Sequence, residues 1–213
     1  MTRFLDAVER FRTGRARAVL WALVVALLAA PFLWREPATR ELSAARRLLG
    51  PFAETAAEVQ WARADHAWRR GRRAEGYALA ASALELAPDA PAGWIFLARH
   101  FAFERAALER EPDVAARRLW MQAAFDGLDR GAPYADGAGA LSFERGVLFS
   151  FLAELAANGD VPEAERPWPG GAPELFDSAA RAYDAAASKG DPDARSAAAD
   201  ARARAAELRA AAR

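Results

Sequence analysis

The sequence contains no cysteine among its 213 residues. This absence excludes disulfide bonds, thiolate nucleophiles, iron–sulfur clusters and zinc sites built on cysteine. Lysine occurs once, at Lys189, so almost all of the 29 basic residues are arginine, and 29 acidic residues balance them. A chain without net charge lacks the basic surplus that is typical of nucleic-acid-binding domains. We therefore predict no nucleic-acid partner.

Residues that would carry catalysis are equally scarce. The sequence has no phosphate-binding loop, no dinucleotide fingerprint and no nucleophile elbow. Its two histidines, His66 and His100, have Asp65 and Glu104 near them in sequence and suggest a metal site as one alternative. The two are 34 residues apart, and histidines so placed on separate helices more often pack or form hydrogen bonds between helices than bind a metal. We expect no enzyme activity, no catalytic residue, no metal and no cofactor.

One uncharged run has the length of a membrane span. Residues 18–34 read AVLWALVVALLAAPFLW, with arginine on either side. At about 1.5 Å per residue, a helix of this length is at the short end of what crosses a bilayer core of about 30 Å. Cleavage after Ala29 and Ala30 is disfavoured because Pro31 follows and the apolar run continues. We predict an uncleaved transmembrane anchor over 18–34.

The arginines on either side of this run indicate its orientation. Five precede it within residues 1–17 and four follow it within residues 35–47. Because basic residues are retained on the cytoplasmic side, we predict a single-pass inner (cytoplasmic) membrane protein with a cytoplasmic N-terminus and a periplasmic C-terminal domain. The basic segment 1–17 either lies along the membrane surface or continues the anchor helix.

Beyond the anchor, glycine and proline divide the chain into segments of helical length. These breakers stand at Gly50–Pro51, Gly71, Pro88–Pro91, Pro112, Gly131–Gly139, 158–173 and Gly190–Pro192. No stretch alternates with period two for long enough to form a strand, and short connections between helices of roughly 10 to 20 residues produce antiparallel hairpins. We predict an all-α protein, divided into a basic segment 1–17, a transmembrane helix 18–34, a juxtamembrane linker or helix 35–50, and a helical domain 51–213.

The join between two of these segments resembles a known repeat. Four small or turn residues precede the join and an apolar stripe follows it: Gly71, Gly76, Ala83 and Pro88, then Trp94, Leu97, Ala98 and Phe101. This spacing resembles the tetratricopeptide repeat (TPR), a helix–turn–helix unit of about 34 residues. The resemblance implies antiparallel hairpins stacked as a short TPR-like solenoid. The match is weaker on either side, at Gln60, Arg63 and Ala67 and across 105–113, and a helical bundle without repeats is the alternative.

Members of the TPR family commonly bind an extended peptide or a partner helix on their concave side. In the register above, that side carries a protein-binding strip: Glu58, Trp61, Asp65, Trp68, Ile95 and Arg99. Aromatic and arginine side chains supply much of the binding energy at protein interfaces. The alternative is that Trp61 and Trp68, seven residues apart, belong to the buried stripe of their helix.

This layout predicts a membrane-anchored TPR-like protein-interaction module in a bacterial envelope, acting as an adaptor, assembly factor or holdase. The arginine- and alanine-rich composition, with 58 alanines, is typical of a GC-rich bacterial genome. Protein partners would bind the concave face and the lipid bilayer would surround residues 18–34. The alternative is a structural accessory subunit of a larger membrane protein complex.

Overall fold

The computed structural model describes residues 43–159 and 161–212, and these ranges form helices joined by turns and loops, with no strand. The helices are α1 (Ala44–Leu49), α2 (Ala53–Arg69), α3 (Arg73–Leu86), α4 (Pro91–Arg99), α5 (Val114–Ala135), α6 (Ala140–Asn158), α7 (Ala172–Ser188) and α8 (Ala194–Ala211). A π-helical segment, His100–Arg105, extends α4. The predicted all-α class is confirmed.

The predicted N-terminal segments at 1–17 and 18–34 lie outside the described residues. Within the described ranges, no helix combines the length and the apolar character needed to cross a membrane. Of the predicted juxtamembrane segment 35–50, residues 43–50 are described, and they form α1 and the first residue of a short 3-10 helix.

Helix α1 is held against the C-terminal end of α3. Its N-cap, Ser43, accepts a hydrogen bond from the Arg46 amide at 3.1 Å and donates one to the Glu85 carbonyl at 3.0 Å. Arg46 is buried and donates to the Leu86 carbonyl at 2.9 Å and to both carboxylate oxygens of Asp89 at 2.7 and 2.8 Å. A buried guanidinium needs such partners because an unsatisfied charge is costly away from water. Helix α1 therefore packs as part of the helical domain.

Helices α2 and α3 form an antiparallel hairpin with an interior of small side chains. The turn between them contains Gly71 at a φ of 73°, in the left-handed region that favours glycine. Ala64, Ala67, Ala80 and Ala83 are completely buried, at 0% exposure. Methyl groups allow the helix axes to approach closely but bury little apolar area each.

The predicted break beginning at Gly131 is wrong at its start, because α5 continues through Gly131 and Pro133 to Ala135. A Cβ at Gly131 would lie 2.6 Å from two ring atoms of Trp94 and 3.0 Å from Leu141. Glycine at this position therefore allows the indole of α4 to pack against the α5 backbone. The same indole N–H donates to the Pro88 carbonyl at 2.9 Å, which fixes the ring in place.

The large apolar side chains are concentrated in the second part of the chain. The largest fully buried side chains of the described residues all lie on α5 and α6: Phe125, Met121, Leu128, Leu141 and Leu148. Helix α7 packs closely on α6, since a Cβ at Gly146 would lie 2.5 Å from the Tyr183 ring. The fully buried side chains of helix α8 are all alanines, and the half-buried Leu208 also packs against this core.

A buried carboxylate closes the turn between α5 and α6. Asp136 accepts hydrogen bonds from the Leu141 amide at 2.9 Å, the Ser142 hydroxyl at 2.5 Å and the Lys189 ammonium at 2.5 Å. Burial by itself would raise the pKa of Asp136, but the hydrogen bonds from Lys189 and Ser142 hold that pKa below its ordinary value. The single lysine of the chain thereby ties the end of α7 to the start of α6.

Candidate protein-binding groove

An open groove lies beside α2, where the chain leaves α3 and enters α4. Its volume is about 530 Å³. The lining consists of three carboxylates, two aromatic side chains and five small residues: Glu54, Glu58, Asp65, Trp61, Phe96, Ala57, Ala87, Ala90, Ala92 and Gly93. We call this feature the α2–α4 groove. It exists because alanine and glycine leave space where larger side chains would fill the gap between the helices.

Trp61 and Phe96 form the aromatic wall of the α2–α4 groove. Their ring centroids are 5.5 Å apart and their planes meet at 74°, the edge-to-face arrangement that aromatic pairs favour. A Cβ at Gly93 would lie 3.0 Å from Trp61 Cζ2, so glycine allows the indole to approach the α4 backbone. Trp61 is half-buried, while Phe96 keeps 46% of its surface exposed. The wall is therefore anchored on α2 and accessible on α4.

The carboxylates of the groove all come from α2. Glu54 and Glu58 are exposed and one helical turn apart, and neither makes an ion pair or side-chain hydrogen bond within the described part of the chain. Asp65 is half-buried and forms an ion pair with Arg69, one turn further along the same helix. Among the residues that the structure describes, no basic side chain lines the groove. An apolar surface with two unneutralised carboxylates attracts ligands that carry a positive charge.

A second aromatic group, which we call the aromatic bridge, connects α2 to α4 further along. The Trp68 ring stacks on His100 at 4.7 Å between centroids and 19° between planes, and on Phe96 at 6.0 Å and 28°. The Tyr77 ring lies 5.6 Å from Trp68. The indole N–H of Trp68 is buried and has no hydrogen-bond partner among the described residues. Trp68 therefore fills the space between helices and does not line the groove.

His100 stands where α4 changes from α-helical to π-helical hydrogen bonding. Its Nδ1 lies 3.2 Å from a carboxylate oxygen of Glu104, and its Nε2 lies 3.3 Å from the Tyr77 hydroxyl. Burial lowers the pKa of His100, although attraction by Glu104 acts in the opposite direction, and burial also raises the pKa of Tyr77. Because a carboxylate only accepts, the neutral ring carries its proton on Nδ1 and accepts from Tyr77 at Nε2.

The structure brings three of the six predicted strip residues together. Glu58, Trp61 and Asp65 line the groove. Trp68 lies in the aromatic bridge, and Ile95 packs against the main apolar core.

The last predicted strip residue, Arg99, reaches away from the groove to α6. It donates two hydrogen bonds of 2.7 Å to Glu144, whose side chain is 3% exposed while that of Arg99 is 55% exposed. The hydrogen bond to Glu144 raises the pKa of Arg99. This ion pair ties α4 to α6, so the cation of Arg99 is already engaged within the fold.

Sequence reasoning missed Glu54, the small residues of the α3–α4 connection, and Phe96. The α4 side chains that face α2 are Phe96 and His100, each one position after the predicted Ile95 and Arg99. The signal for Glu54 was available, because it precedes Glu58 by one helical turn.

The two histidines occupy different environments. His66 is exposed near the end of α2, whereas His100 is half-buried in the aromatic bridge. The described residues contain no group of three or more histidine, aspartate or glutamate side chains arranged to hold a metal ion.

Comparisons of the chain with protein-family models, with curated proteins and with solved structures returned no match.

Proposed function

We propose that the chain is a membrane-anchored protein-interaction module and that its α2–α4 groove receives a segment of a partner protein. The observation that carries the proposal is the groove itself, an accessible aromatic wall beside two carboxylates that have no ion-pair partner within the described ranges. Interfaces gain most of their energy from a few aromatic and charged side chains seated in such concave sites. A groove between helices suits an extended segment or a helix of the partner.

The helix packing supports TPR-like stacking as part of this proposal. Gly76 of the TPR-like pattern lies against the Trp68 ring, Ala83 is completely buried, and Trp94 packs on Gly131. The helices α2 and α4, which the resemblance assigns as first helices of successive units, contact each other through Trp61 and Phe96 and through the aromatic bridge. In such a solenoid the first helices line the face where partners bind.

The anchor completes the proposal. Residues 18–34 hold the chain in the inner membrane with its N-terminus in the cytoplasm, and the helical domain meets its partner in the periplasm. Because the chain lacks cysteine, single-cysteine variants Thr13→Cys and Glu109→Cys report topology without background. We expect a membrane-impermeant maleimide to label position 109 once the outer membrane is permeabilised, and position 13 only after the inner membrane is opened. The reverse pattern would place the domain in the cytoplasm.

In vivo photo-crosslinking tests the groove. Phe96 is replaced by p-benzoylphenylalanine, and the matched control carries the same residue in place of Leu119, which is 71% exposed and lies on α5 outside the groove. We expect discrete adducts from position 96 and none of the same mass from position 119. Identical adduct patterns from both positions, or none from position 96, would contradict the proposal.

A structural accessory subunit is the second candidate, and one observation favours it. Leu48 and Phe52, which lie 14 and 18 residues after the predicted anchor, expose 86% and 60% of their surface, and Val59 follows on α2 at 54%. Exposed apolar side chains at such a position are suited to contact a neighbouring subunit. If this candidate is correct, the purified chain aggregates in the absence of its complex. The double variant Leu48→Ser, Phe52→Ser should then be less abundant in cells, while the adducts from position 96 stay the same.

A further inference from the structure

The α2–α4 groove has a chemical preference that its shape alone does not reveal. Its aromatic wall and its floor of alanine and glycine residues are apolar. Glu54 and Glu58 nevertheless lie beside Trp61 on successive turns of α2. Residues four apart on a helix lie on one face, so the two carboxylates border the same side of the indole. Both are solvent-exposed and neither has an ion-pair partner in the described ranges. An apolar ligand without charge would leave this border unused.

A cation that also stacks on aromatic rings fits this combination. Tryptophan attracts cations over its ring face more strongly than the other aromatic residues do. A guanidinium group is planar, is less strongly hydrated than an ammonium group, and donates hydrogen bonds in a fork that matches carboxylates. An arginine side chain can therefore engage Glu54 or Glu58 while it lies on Trp61, and its methylene groups contact the alanine floor.

The chain uses the same chemistry within its own fold. Arg105 lies over the Trp120 ring at 4.7 Å, and Arg46 and Arg99 each bind a carboxylate with paired hydrogen bonds. The α2–α4 groove offers both kinds of contact at one place, and none of its described lining residues is an arginine.

We infer that the groove recognises an arginine side chain in an exposed segment of a protein partner, with the guanidinium between Trp61 and the Glu54–Glu58 pair. An apolar residue next to that arginine packs on Phe96 and the small residues at 87–93. The volume of about 530 Å³ accommodates such a pair of side chains. This inference rests on the proposed function, since it names the chemistry of the partner at the proposed binding site.

Binding of short peptides to the detergent-solubilised full chain tests the inference. The probe is a fluorescein-labelled, terminally blocked peptide in which one arginine is flanked by leucines, and its matched control carries citrulline, which is neutral and nearly isosteric. We expect the arginine peptide to bind about tenfold more tightly in fluorescence anisotropy, since charge-assisted hydrogen bonds are stronger than neutral ones. Raising the salt concentration should reduce this preference. Equal affinities for the two peptides, or no binding of either, would overturn the inference.

Variants of the carboxylates locate the preference. Glu58→Gln and Glu54→Gln should each bring the arginine-to-citrulline affinity ratio closer to one. In the double variant the two peptides should bind with equal affinity. Glu109→Gln is the matched control, because Glu109 is exposed and lies outside the groove. Both groove glutamates are exposed, so the variants should retain the melting temperature of the parent chain. A ratio that survives the double variant would exclude the groove as the arginine site.

Two further outcomes show whether the inference fails without the proposed function, and whether the groove is occupied by a partner or by another part of the chain. Discrete adducts from position 96, together with equal affinity for the arginine and citrulline peptides, overturn the inference and leave the proposed function in place. Residues 1–17 of the chain carry five arginines. If the peptide binds only after these are changed to glutamine, the occupant is the N-terminal segment itself, and recognition of a partner is overturned.

Discussion

The two parts of the helical domain are built from different interiors. Around α2 and α3 the buried cluster consists of Ala57, Ala83, Leu86 and Ala87, and half-buried residues such as Trp61 pack against it. Between α4 and α8 a much larger cluster surrounds Phe125, Met121 and Leu148. Because methyl groups fill little space, the first part leaves a groove and is bridged by half-exposed aromatic rings, whereas the second part is filled. The proposed binding groove and the main apolar core therefore lie in different parts of the chain.

Truncation of a large core residue gives the greatest expected effect. Phe125→Ala should lower the free energy of unfolding by about 3–5 kcal/mol, because it removes apolar burial and leaves a cavity. Leu86→Ala, in the smaller cluster, should cost about 2 kcal/mol, the low end for its class. Urea denaturation followed by circular dichroism measures both. Leu119→Ala, at an exposed position, is the control and should cost less than about 0.5 kcal/mol.

Equal losses for Phe125→Ala and Leu86→Ala would mean that the two interiors contribute alike, and the contrast between the regions would fail. A larger loss for Leu86→Ala would reverse it.

The ion pair between Arg99 and Glu144 joins the two regions and gives the next largest effect. Arg99→Ala leaves a buried carboxylate without its partner, and we expect a loss of about 2 kcal/mol, moderated because Arg99 is half-exposed and water screens the charge. Glu144→Gln should cost less, since the guanidinium can turn to solvent. Arg202→Ala breaks an exposed pair with Asp184 and should cost less than about 1 kcal/mol. If Arg99→Ala costs no more than Arg202→Ala, the connection between the regions is not electrostatic.

Substitutions at two glycines of α5 should change the stability in opposite directions. A Cβ at Gly131 would meet the Trp94 ring, so Gly131→Ala should destabilise by about 1–3 kcal/mol. A Cβ at Gly127 would have no neighbour within 4 Å, so Gly127→Ala should stabilise by about 0.5–1 kcal/mol through helix propensity. Thermal unfolding of the two variants measures both changes in stability. Effects of the same sign would contradict the close packing of α4 on α5.

The all-α class and most helix boundaries were predictable because glycine and proline act locally. The facing residues of α4 were not, since adjacent positions on a helix differ by about 100° and nearly every residue from Trp94 to Phe101 is apolar or aromatic. A stripe drawn through Ile95 and Arg99 is therefore as consistent with the pattern as one through Phe96 and His100. Only packing against α2 distinguishes them.

Contacts between distant residues also escaped the sequence. Arg99 and Glu144 are 45 positions apart, and no local pattern pairs them. Gly131 was interpreted as a breaker because the sequence cannot show the Trp94 ring that requires it. The groove was only partly predictable for the same reason: its carboxylates follow helical spacing, but its volume depends on which small residues meet in space.

The smallest expected effect concerns His100 in the aromatic bridge, and it tests whether the first region owes its packing to these rings. Burial holds the pKa of folded His100 below the ordinary value, while Glu104 opposes that shift and Arg105 adds to it. The unfolded chain therefore binds a proton at higher pH than the folded chain does. Stability from the neutral ring is fully present above about pH 6.5 and is lost as the pH falls toward the folded pKa.

We expect the free energy of unfolding to decrease as the pH falls from about 7 to about 5, the range in which histidine titrates. The His100→Gln variant should show a smaller decrease over this range. The matched control is His66→Gln, which changes the exposed histidine outside the aromatic bridge. The His100→Gln variant also changes the packing of the groove wall, because Phe96 contacts both His100 and Trp61. If the slope persists in His100→Gln, another group titrates in this range, and the bridge holds α2 to α4 through ring packing without the neutral histidine.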